Sequence, residues 1–92
     1  MDDRLQIGCV VYSKKGRDNG NYYMIVAMDE TYVWICDGKS RKLAHPKKKN
    51  IKHVKSNGII LTNIAQKLLE NKKVFDSELG SALRAFNENG GN

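Results

Sequence analysis

Acidic residues are missing from the middle of this chain, and several other features are scarce. Residues 38–69 hold nine Lys or Arg and no Asp or Glu. A single proline is present, which argues against general disorder. Cysteine is limited to Cys9 and Cys36, both inside apolar runs, so no disulfide framework is expected and both read as small buried hydrophobes. The longest uncharged stretch, Ser56 to Gln66, contains six polar or glycine residues. A spanning helix needs roughly 18 to 20 apolar residues. The acidic start Met1-Asp2-Asp3-Arg4 is unlike the basic-then-apolar plan of a secretory signal. These absences predict a reduced, cytoplasmic protein with no membrane partner.

What remains is 92 residues, 40% of them hydrophobic, which suffices for one small core and leaves no room for a separate catalytic domain. The net charge is +6. Residues 1–37 carry a net −2 and residues 70–92 a net −1, so the whole excess lies between them. Such a concentration points to an acidic partner; the plainer alternative is a solvated lysine-rich loop that serves solubility.

Strand signals come first. Ile7 to Tyr12, Asn21 to Met28 and Tyr32 to Cys36 are rich in β-branched and aromatic residues. A polar loop, Ser13 to Gly20, separates the first two, Asp29-Glu30-Thr31 the second and third, and the turn dipeptide Asp37-Gly38 closes the third. Leu43-Ala44, ended by Pro46, and Ile51 to Val54 are candidates for a fourth and fifth strand. Five short strands joined by tight turns predict a mainly β chain folded as a small antiparallel barrel. Beyond Ser56-Asn57-Gly58 the period becomes helical. Thr62 or Asn63 can cap a helix with Ile64, Leu68 and Leu69 on one face. A second helix starts at Asp76 or Ser77 and repeats Leu79, Ala82, Leu83 and Phe86. The expected organisation is a barrel over residues 1–56 and a helical extension over 57–92, packed as one unit.

The run Ile7-Gly8-Cys9-Val10-Val11-Tyr12-Ser13-Lys14-Lys15-Gly16-Arg17-Asp18-Asn19-Gly20, with Tyr23 to Val26 and Tyr32 to Gly38, resembles the KOW motif. Arg41-Lys42 and Asn50-Ile51-Lys52-His53-Val54 extend the match. Over about residues 5–56 the chain is similar to the bacterial KOW-domain RNA-binding proteins related to large-subunit ribosomal protein fourteen of eukaryotes and archaea. Bacterial members often have Lys where Asn19 stands here. The resemblance implies an SH3-like barrel, no enzymatic activity, no cofactor or small-molecule substrate, and binding of structured, generally ribosomal, RNA through loops at one end. Ribosomal proteins are the other implied partners. A different class of function, a protein-interaction module like the KOW domains of transcription elongation factors, draws on the apolar helical tail.

The residues give these roles a physical basis. Gly16 and Gly20 permit positive φ and Asp18 accepts hydrogen bonds within its turn, while Lys14, Lys15 and Arg17 project toward phosphates. Gly8 and Gly38 are structural positions of the motif. Lys39, Arg41 and Lys42 after the Asp37-Gly38 turn, Lys47, Lys48 and Lys49 after Pro46, and Lys52 complete the expected RNA-binding patch. If Val33 and Ile35 fill the barrel, period two turns Tyr32 and Trp34 outward, either to stack on unpaired bases or to floor the second helix. His53 reads either as a hydrogen-bonded structural residue or as a stacking or metal-binding one.

Overall fold

Alternation along each strand sorts side chains onto two faces, and here each face contributes residues to a buried core. The computed structural model describes residues 5–13 and 21–90, the last three by their backbone alone. Strands β1 (Cys9–Ser13), β2 (Tyr22–Met28), β3 (Tyr32–Cys36), β4 (Lys47–Asn50) and β5 (Val54–Ile60) form one antiparallel sheet in the order β4-β3-β2-β1-β5. Helices α1 (Thr62–Leu69) and α2 (Asp76–Gly90) follow. The fold is therefore mainly β with two C-terminal helices. Among the described residues no helix is long and apolar enough to cross a membrane.

The inner face carries Cys9, Val11, Tyr23, Ile25, Val33, Ile35 and Val54, all buried together. The outer face contributes Val10, Met24 and Cys36, which pack with Ile64 of α1 and Leu79 and Leu83 of α2. Burial on both faces explains why Cys9-Val10-Val11 and Tyr23-Met24-Ile25 read as unbroken apolar runs without polar alternation. Each fully buried Leu or Ile stabilises the fold by about 1.5–3 kcal/mol.

The sheet must curl. A one-turn 3₁₀ helix, η1 (Ile51–His53), carries the chain from β4 to β5, which are the two edges of the sheet. Four strand spacings would put flat edges about 19 Å apart. Three 3₁₀ residues rise only about 6 Å. The edges are thus brought round toward each other, and Lys49 Nζ of β4 reaches Ser13 Oγ of β1 at 2.9 Å.

Several expected elements are corrected. Leu43-Ala44 is a turn, closed by the His45 amide donating to Lys42 O at 2.9 Å, and not a strand. The fourth strand is the lysine run itself, paired residue for residue with Tyr32 to Ile35. Lysine has low strand propensity, but it suits an edge, where charge discourages pairing with another chain. Ile51 to His53 is η1, and the fifth strand runs on past Ser56 to Ile60. Helix α1 is capped by Leu61 with no side-chain hydrogen bond, and Leu69 is 69% exposed, off the face that buries Ile64 and Ala65.

Two glycines let the helices approach. Gly8 has φ +92° and a Cβ there would overlap the Ala65 side chain; Gly38 has φ +80° and its Cβ would overlap Asp76 O and lie 2.8 Å from Gly80 N. Helix α2 is pinned at both ends, its Asp76 Oδ1 accepting from the Leu43 amide at 2.7 Å and its Asn87 Oδ1 from the Tyr22 amide at 2.7 Å. Between the helices Lys67 Nζ donates to Glu78 Oε2 at 2.6 Å, and that hydrogen bond holds the Glu78 carboxyl below the usual range.

Candidate nucleic-acid interface

The basic residues fall into separate structural settings. Lys14, Lys15, Gly16, Arg17, Asp18 and Gly20 lie outside the described residues. The segment after β3 is organised by one carboxylate. Asp37 Oδ1 accepts from the amides of Lys39 and Arg41, both at 2.8 Å, and Oδ2 accepts from Ser40 Oγ at 2.9 Å. Main-chain bonds from Asp37 N and Gly38 N to Arg41 O tighten the same turn. An Asx-type turn of this kind fixes the backbone and leaves the long side chains at its surface. Lys39 and Lys42 are exposed and Arg41 is half-buried.

Along β4 the three lysines part company because side chains alternate. Lys48 stands opposite Trp34 on the outer face, whereas Lys47 and Lys49 stand opposite Ile35 and Val33 and are half-buried. Lys49 donates to the Ser13 hydroxyl, which is fully buried. Only Lys48 of the three is exposed. Its ammonium lies 4.1 Å from the centroid of the Tyr32 ring and 5.7 Å from that of Trp34. The two rings meet edge to face with centroids 6.5 Å apart.

Lys52 is exposed on η1, whose first turn is capped by Asn50 Oδ1 accepting from the Lys52 amide at 2.9 Å. Lys55, one residue beyond buried Val54, is also exposed and pairs with Tyr12. Lys48, Lys52 and Lys55 therefore line the passage that joins the two sheet edges. Lys55 is absent from the sequence-based patch, although its place out of phase with Val54 was a usable signal.

Neighbouring groups fix this surface. At the start of β3 the Asp29 carboxylate accepts from the amides of Tyr32 and Thr31, at 2.7 and 2.8 Å. Those two bonds, aided by the charge of Lys48, hold the Asp29 carboxyl below the usual range. At the other end of β3, burial pushes the Cys36 thiol up to about 12, and Asp76 and Asp37 add to the shift. The thiol stays protonated and donates weakly to Lys42 O at 3.6 Å. Cys36 is thus a packing residue. Helix α2 rests on Val10, Met24 and Cys36, so the floor beneath it is not Trp34. Among the described residues no three His, Cys, Asp or Glu side chains are grouped to hold a metal ion.

The arrangement can attract phosphates through flexible point charges and offers two aromatic rings beside one of them. Neither a scan against protein-family models nor a search of curated proteins finds a match to this chain.

Proposed function

We propose that this chain is a non-catalytic RNA-binding protein of the translation machinery, acting in the cytoplasm on structured ribosomal RNA. In this reading the curled sheet is an SH3-like barrel of the KOW type. The meander from β1 to β4, closed by η1 and by β5 returning to β1, supports it. The observation that carries the functional reading is the exposure of Lys39, Lys42, Lys48, Lys52 and Lys55 from a segment that holds no acid, in a chain otherwise net negative. Lysines of this kind bind by releasing counterions from a phosphate backbone, so affinity falls as salt rises. They position RNA more than they read its sequence.

The test is fluorescence anisotropy of a ribosomal RNA hairpin between roughly 50 and 200 mM salt. Wild-type affinity should fall steeply, and the triple variant Lys48→Glu, Lys52→Glu, Lys55→Glu should bind more weakly with a shallower salt slope. Absent binding, or binding indifferent to salt, overturns the reading. A second reading, a protein-interaction module, is favoured by the 69% and 58% exposure of Leu69, at the end of α1, and Phe75, just before α2. A partner retained in pull-downs after nuclease treatment, and lost on Phe75→Ser, would favour it.

A further inference from the structure

We infer that Tyr32 and Trp34 form a stacking subsite for an unpaired base, with Lys48 supplying the cation for the phosphate beside it. This deepens the RNA reading and rests on it: at this face the RNA recognised is a single strand, loop or bulge and not a helix.

The first observation is where cover stops on the outer face of β3. Cys36 is fully buried with Leu79 and Leu83. Two and four residues back along the same face, Trp34 and Tyr32 are only half-buried and belong to neither core cluster. Two large aromatic side chains are thus left at the surface next to an edge strand.

The second observation is what stands over them. Lys48 is the cross-strand neighbour of Trp34, and its ammonium lies over the Tyr32 ring and within 5.7 Å of the Trp34 centroid. The position shows that an electron-poor group is accommodated against these rings. Lysine is also a flexible stem, able to swing aside without moving the backbone. An incoming base replaces the ammonium on the ring, and the ammonium moves to the phosphate of the same nucleotide, so the cation–π contact is exchanged for an ion pair.

Chemistry then selects the unpaired state. Stacking needs a free base face, and every base has one when it is out of a helix. Within an RNA duplex the faces are covered by adjacent pairs, and only phosphates, sugars and groove edges remain. A duplex can engage the lysines of this surface but not its rings. The charge pattern favours a nucleic acid: no acidic residue occurs from Gly38 to Leu69, and the Asp29 carboxylate, whose charge Lys48 feels, is already engaged by the Tyr32 and Thr31 amides, so a phosphate is the added anion for the displaced ammonium.

Trp34 is the only tryptophan in the chain, so its fluorescence reports on this site alone. The full-length protein is titrated at low salt with labelled oligouridine and with a blunt RNA duplex of the same length. Anisotropy reads binding and tryptophan emission reads stacking. Oligouridine should bind with a saturating quench of Trp34, and the duplex should bind without one. Tyr32→Leu should weaken oligouridine about tenfold and leave the duplex unchanged; Lys48→Ala, which leaves both rings in place, keeps the test valid if Tyr32→Leu does not fold, and should weaken both probes while preserving the quench. Binding of both probes with no quench, or with equal quench, overturns the stacking subsite and leaves the RNA reading standing. Binding of neither probe overturns the RNA reading and the subsite with it.

Discussion

Cys36 and Trp34 lie two residues apart on the same outer face of β3, yet one is sealed beneath α2 and the other stands half-exposed beside Lys48. The covered end is built for close approach. Its thiol is small, its neighbouring turn contains Gly38, Asp76 of α2 holds the loop through the Leu43 amide, and Asp37 braces that loop from within through the Lys39 and Arg41 amides. The open end carries side chains that need no cover, aromatic rings flanked by a long cation that stays solvated. The contrast teaches that this strand divides its outer face between stability and surface chemistry, and that substitutions at the two ends should have different consequences.

The strongest way to break the covered end is Gly38→Ala. The added Cβ meets backbone atoms of Asp76 and Gly80, which cannot give way as a flexible side chain can, and φ there is +80°. Left-handed strain and overpacking together should cost about 3–4 kcal/mol, read as a lower denaturant midpoint. Leu83→Ala should follow at about 3 kcal/mol, because a fully buried side chain is lost between helix and sheet. Gly80→Ala should go the other way. Its nearest new neighbour, Asp37 O, lies 3.8 Å away, so the helix gains propensity without a clash. A gain of about 0.5–1 kcal/mol is expected; a loss would mean that the loop and helix are closer than described. At the open end Lys48→Ala should lower stability least, by under about 1 kcal/mol for an exposed cation–π contact. If thermal unfolding shows Lys48→Ala as costly as Leu83→Ala, the proposed division of the strand fails.

Much of the covered end was legible beforehand. Tyr32 to Cys36 emerges as a strand with the predicted bounds, and Leu79, Ala82, Leu83 and Phe86 of α2 all take part in the outer core. Strong periodicity made both readable. The parity of Val33 and Ile35 also turned Tyr32 and Trp34 outward correctly. The open end was harder. Lys47 to Asn50 has no strand propensity of its own, and its β structure comes from the ladder offered by β3. Reading it as a loop made its lysines equivalent, whereas the strand turns Lys49 to buried Ser13 and leaves Lys48 on the rings. Similarly, Leu69 looked like a partner of Ile64 by spacing, but the sheet meets only the face of α1 that holds Ile64 and Ala65.

Composition and periodicity are local properties of the chain, and they suffice for the charge distribution, the apolar runs of β1 to β3, the amphipathic phase of α2 and the position of the glycines. Tertiary structure alone decided which outward residues became covered and which lysine met the aromatic rings. Those outcomes depend on where α2 comes to rest and on how far the sheet curls, and both are set by contacts between residues distant in sequence.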